Sequence, residues 1–134
     1  MTSTFIAGLQ HDGILAPMLI DRPMTGDIFR QWLVEHLIPE MQPGSIVVCD
    51  NLAAHKVAQV RQCLENAGMG LLYLPAYSPD LNPIEQAFAK VKKLLREAEA
   101  RSFVGICQAL KHILERFSPA ECSNYLRHAG YVQT

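Results

Sequence analysis

The 134-residue chain has little excess of charge of either sign, with 12 Lys and Arg against 13 Asp and Glu and a formal net charge of −1. A balance this even lacks the overall basic signature of nucleic-acid binding, so any DNA contact has to come from a local patch. No apolar run approaches the roughly 20 residues that span a bilayer. The start, Met1 to Gly13, has neither the basic opening nor the cleavage pattern of a secretory signal, so a cytoplasmic location and no membrane partner are expected. The four cysteines, Cys49, Cys63, Cys107 and Cys122, form no CxxC pair. No His stands at zinc-site spacing from them. They are expected to be reduced core thiols, since free Cys is among the most buried residue types. There is no internal repeat, low-complexity tract or linker. Residues 1–134 are therefore expected to form one domain, and a hydrophobic content of 49% is enough to give it a core.

What is present reads as alternating strands and helices. Thr4 to Leu9 and Ile14 to Ile20 are β-prone runs around His11-Asp12-Gly13, which predicts a hairpin, with Pro17 placing the second strand at an edge. Ile28, Phe29, Trp32, Leu33 and Leu37 recur at helical spacing and should end before Pro39. Ser45 to Asp50 is a continuous apolar run closing on an acid, as in a strand buried on both faces. Val57, Val60, Leu64 and Ala67 mark a helix stopped by Gly68 and Gly70, and Leu71 to Leu74 reads as another buried strand. After a loop from Pro75 to Asn82, Ile84, Ala87, Phe88, Val91, Leu94, Leu95 and Ala98 line one face of a strong helix. Ser102 opens a further helix with Phe103, Ile106, Cys107, Leu110, Ile113, Leu114 and Phe117 on one side. Ser118-Pro119-Ala120-Glu121 combines a capping box with Pro at the first helical position, and Gly130 ends that last helix. The order predicts an α/β fold with parallel central strands.

Two acids stand out by position. Asp50 closes a predicted central strand, at the end where open α/β sheets place their ligands. Glu85 lies in the first turn of the helix that follows Tyr77-Ser-Pro-Asp-Leu-Asn-Pro-Ile-Glu85. Two carboxylates of this kind can hold Mg²⁺, which takes hard oxygen ligands and often only one or two from the protein. Spacing alone leaves another reading open. Asn82-Pro83-Ile84-Glu85 also fits an Asn N-cap, Pro at N1 and a capping-box acid at N3, and Asp50-Asn51 also fits a strand-to-helix turn.

The two segments together carry more than their spacing. Val47-Val-Cys-Asp50-Asn51-Leu-Ala-Ala-His55-Lys56, followed by Leu74-Pro-Ala-Tyr77-Ser78-Pro79-Asp80-Leu81-Asn82-Pro83-Ile84-Glu85, resembles the signature of the DDE superfamily endonuclease domain. The similarity is greatest to mariner-like bacterial insertion-sequence transposases. Between Asp50 and Glu85 lie 34 residues, which resembles a spacing the superfamily uses between its second and third acids. The resemblance implies an RNase H-like fold, with Asp50 and Glu85 as catalytic metal ligands for Mg²⁺ (or Mn²⁺) in a two-metal site. Asn51 and His55 match positions beside that site, and Tyr77, Ser78 and Asn82 match the loop that aims Glu85. It also implies DNA as partner, at transposon ends and target, with metal-dependent strand cleavage and strand transfer as the reaction.

Measured against that family, the chain begins after the strand that would bear the first acid, so a partial catalytic domain is expected, truncated at its N-terminus and without its first central strand. Asp12, Asp21 and Asp27 sit at predicted turns or helix starts and read as surface acids. An absent central strand would leave sheet edges open. The expectation is a homo-oligomer, or association with further transposase sequence, or else poor stability alone. Lys90, Lys92, Lys93 and Arg96, with Arg101 beyond them, cluster after Glu85 and form a candidate phosphate-contacting face; they read equally as a solvated helix face. The competing function is that of a catalytically inactive remnant acting as a DNA-binding or assembly module.

Overall fold

In the computed structural model, which describes residues 4–50, 58–74 and 82–131, the predicted hairpin forms as β1 (Thr4–Gln10) and β2 (Gly13–Ile20), joined by the two-residue turn His11-Asp12. The register runs from Thr4↔Ile20 to Ile6↔Met18 and resumes at Gly8↔Leu15, so β2 carries one more residue than β1 at this step. The extra residue falls at Ala16-Pro17. Pro17 has no N–H to give the ladder, and buried Ala16 takes a left-handed φ of 48° to make the bulge.

The chain divides into two units, one of residues Met1–Arg22 with Pro83–Thr134 and one of Pro23–Asn82. In the first, the hairpin is joined by α3 (Ile84–Ala98), α4 (Phe103–Leu114) and α5 (Pro119–His128). Val91, Leu94, Leu110 and Ile113 form the core, with Phe5, Leu19, Leu95 and Phe117 packed on it. These are the positions that helical and strand periodicity marked, although Ala98 at the end of the α3 stripe is exposed. Phe88 meets Phe5 edge to face with ring centroids 5.6 Å apart. The caps are those the sequence predicts: Ser102 accepts from Gly105 N–H and Ser118 from Glu121 N–H, at 3.0 and 3.1 Å. Beyond α5, Gly130 (φ 96°) and Tyr131 donate to the carbonyls of Arg127 and Leu126, the paired bonds of a Schellman motif.

In the second unit, Thr25 caps α1 (Gly26–Trp32) by accepting from Ile28 N–H. The helix does not simply stop before Pro39 as expected. It widens into a π turn at Leu33–Leu37 and tightens into a 3₁₀ turn at Ile38–Glu40 that contains Pro39. Proline can neither donate in an α ladder nor clear the preceding turn, so the last residues leave α geometry. Strands β3 (Ile46–Cys49) and β4 (Gly70–Tyr73) pair in parallel, Ile46 opposite Gly70 and Cys49 opposite Tyr73. Between them in sequence lies α2 (Ala58–Asn66), closed by a second Schellman motif at Gly68 (φ 79°). Leu33, Val60 and Leu64 are completely buried in this unit. A Cβ on Gly70 would stand 3.2 Å from Ile46 Cγ1, so a larger residue there would have to push that exposed side chain aside. Ile46 and Leu72 are exposed, at 65% and 54%, so the expectation of strands buried on both faces fails on one face of this pair. Among the described residues the strands make two two-stranded sheets, β1–β2 and β3–β4.

Candidate active site

Asp50 follows directly on β3, where the parallel strand releases the chain at its C-terminal end. Its neighbour Cys49 is buried, and burial first and the Asp50 carboxylate second push the thiol up to about 12. At neutral pH the buried thiol is therefore held in its protonated form. Cys122, completely buried, is likewise raised, mainly by burial. Both behave as the core thiols the sequence predicted. On β4, Arg61 of α2 lies over the Tyr73 ring with its guanidinium carbon 5.9 Å from the centroid.

The half-buried Asp50 carboxylate is held by Asn82, whose Nδ2 donates to Oδ1 at 2.7 Å across 32 residues of sequence. The N-cap position of α3 falls on Pro83 rather than on the expected Asn82, and Pro83 makes no side-chain cap bond.

Glu85 lies in the first turn of α3 and is exposed. Among the described residues, none bonds its carboxylate, so the capping-box alternative does not account for it either. Asp50 and Glu85 belong to different units. Asn51, His55, Tyr77 and Ser78 lie outside the described residues. Asp12 is exposed in the β1–β2 turn, Asp21 is exposed with Arg22 at 3.8 Å, and Asp27 is exposed in the first turn of α1. Among the described residues no group of three His, Cys, Asp or Glu side chains is gathered as a metal site. Carboxylates such as these are the hard oxygen donors that Mg²⁺ and Mn²⁺ take.

The basic cluster divides. Lys92, Lys93, Arg96 and Arg101 are exposed. Lys90 is not part of that face. Its Nζ lies 2.6 and 2.8 Å from the two carboxylate oxygens of Glu121 and donates to the Arg116 carbonyl at 2.6 Å. The same ammonium stands 4.3 Å from the Phe117 ring centroid. Tyr125 donates its hydroxyl to Glu121 as well. Burial alone would raise the Glu121 carboxyl, but the bonds from Lys90 and Tyr125 outweigh it and hold the group below its ordinary value. Burial, then the Glu121 bond, raises the Tyr125 hydroxyl. Sequence reading missed this because the partners are 31 residues apart and on different helices. No helix of the described residues is long and apolar enough to cross a membrane.

Comparison with known proteins gives the family. The model of the DDE superfamily endonucleases matches residues 2–105. The fold is that of the Mos1 mariner transposase catalytic domain, with a TM-score of 0.81 and 19% identity over 96% of this chain and 74% of that one. The same domain in complex with raltegravir and Mg gives 0.81 and 19%, over 96% and 75%. The Mos1 strand transfer complex gives 0.83 and 21%, over 95% of this chain and 39% of that one. The chain thus spans about three quarters of the isolated catalytic domains and well under half of the longer transposase chain. The fold is RNase H-like, as the α/β pattern and the motif predicted. No curated protein matches the sequence.

Proposed function

Since the chain belongs to the DDE superfamily endonucleases, we propose that it supplies two of the acids of a transposase active site, Asp50 and Glu85, for metal-dependent DNA strand cleavage and strand transfer. The observation that carries this reading is the Asn82–Asp50 bond. It joins the two halves of the motif and fixes an acid at a strand end. Asn82 also stands three residues before Glu85, a span of at most about 11 Å of extended chain.

Asp50 and Glu85 would hold Mg²⁺ or Mn²⁺, the ions present with the Mos1 catalytic domain in two solved structures. A pair of such ions, when bound, activates the attacking oxygen and stabilises the leaving one. In the first step a water oxygen bonds to phosphorus, the 3′-oxygen leaves with a proton, and a free 3′-hydroxyl results. In the second step that hydroxyl attacks a phosphodiester of target DNA and displaces the target's own 3′-oxygen. The chain's residues orient these reactants. Asp50 is held by Asn82, and Asn51, His55, Tyr77 and Ser78 support the site from the flanking motif. Lys92, Lys93 and Arg96 contact phosphates, while Lys90 takes no part. The partners are DNA, at transposon ends and target, and a further strand, from another copy or from further transposase sequence, on the open edges of the two-stranded sheets. The location is the cytoplasm.

A second reading keeps the fold and the DNA partner but not the reaction. On it, the chain is an inactive module that binds DNA or assembles with a complete transposase. Nicking of supercoiled plasmid in Mg²⁺ or Mn²⁺ separates the two. Nicking that disappears in both Asp50→Asn and Glu85→Gln supports the active site. DNA binding without nicking by the unaltered chain supports the inactive module.

A further inference from the structure

The sequence before α3 places a good capping residue in front of a proline, yet the N-cap position falls on Pro83, which makes no side-chain cap bond. A cap would use the Asn oxygen as acceptor, so the Nδ2 donor of Asn82 can serve another partner without drawing on that role. The amide meets the Asp50 carboxylate at 2.7 Å, at the short end of the range for an N–H donor to oxygen. Both side chains are half-buried, which keeps competing water from much of the contact. An amide has a further property that matters at this position. It fixes the plane of a carboxylate without cancelling its negative charge, as Lys or Arg would.

We infer that Asn82 is a positioning residue for Asp50, holding its carboxylate in the orientation that receives a divalent cation while leaving its charge intact. The inference rests on the reading of Asp50 as a metal ligand and deepens it. Partners that orient a metal ligand from behind carry a known magnitude: losing one lowers metal affinity about 10- to 100-fold.

The test is Mn²⁺ binding to the full chain, followed by electron paramagnetic resonance of the free ion, with melting in EDTA as the fold control. Asn82→Ala removes the amide, and Asn82→Leu keeps its bulk without a donor. Both should bind Mn²⁺ at least about tenfold more weakly than the unaltered chain at a similar melting temperature. Unchanged affinity in either folded variant overturns the inference and leaves the metal site standing. No Mn²⁺ binding by the unaltered chain overturns the metal site and the inference with it. Should the variants fail to fold, the unaltered chain still decides the matter in a Mg²⁺ titration by nuclear magnetic resonance. The side-chain amide signals of Asn82 should shift with the same midpoint as the backbone around Asp50. Signals that stay still while that backbone responds overturn the inference.

Discussion

The two units use polar side chains for different ends. In the unit of the hairpin and α3–α5, they close helix ends and tie one helix to another. Ser102 and Ser118 cap the helices they precede. Lys90 of α3 bonds Glu121 of α5, and Tyr125 donates to the same carboxylate. In the unit Pro23–Asn82, Thr25 caps α1 in the same way, but Asn82, just before α3, donates to an acid 32 residues away. The caps serve stability and could be read from three neighbouring residues. Asn82 makes a bond that its neighbours do not signal, as is expected where function rather than stability sets the residue.

The comparison can be broken or sharpened by substitution. The largest effect should come from Leu64→Ala, at a completely buried position in the unit that holds Asp50. It should cost about 3–5 kcal/mol in urea unfolding, whereas Ile46→Thr at an exposed position should fall within about 0.5 kcal/mol. Next comes Glu121→Gln, which leaves Lys90 without its carboxylate. Since both side chains are about a quarter exposed, the loss should be about 1 kcal/mol in the same measurement. The substitution should also change the pH dependence. The Glu121 carboxyl titrates below its ordinary 4.5 in the folded chain. It therefore stabilises the fold above that pH, and the stabilisation is lost as acid protonates it. Melting followed from pH 6 to pH 3 should fall more steeply in the unaltered chain than in Glu121→Gln. Ser118→Ala should cost about 1 kcal/mol or somewhat less by removing one cap. The smallest effect concerns DNA. Lys93→Gln should reduce the slope of log affinity against log salt by about 0.7–0.9, while Lys90→Gln should leave that slope unchanged and lower the melting temperature. Equal slopes for both variants would erase the distinction between the exposed cations and the paired one.

Much of the fold was legible because it rests on short-range patterns. The apolar stripes of α3 and α4, the Ser caps, Gly130 and the parallel pair β3–β4 all fell where periodicity and turn chemistry placed them. What was not legible depends on distant partners or local strain. Nothing near Lys90 in sequence marks it as the partner of Glu121, and nothing near Asn82 points to Asp50. The bulge at Ala16 and the π turn after Trp32 arise from how proline disturbs a ladder, which the sequence locates without saying which distortion relieves it. Of the site, the two acids could be named from the motif, but the residue that holds one of them was legible only as a cap or loop position.

The most direct test of the central claim is a crystal structure of the chain soaked in Mn²⁺, read by anomalous scattering. The account predicts an anomalous peak within coordination distance of both the Asp50 and Glu85 carboxylates, with Asn82 still bonded to Asp50. Mn²⁺ bound elsewhere, with both carboxylates free of metal at saturating concentration, would contradict it.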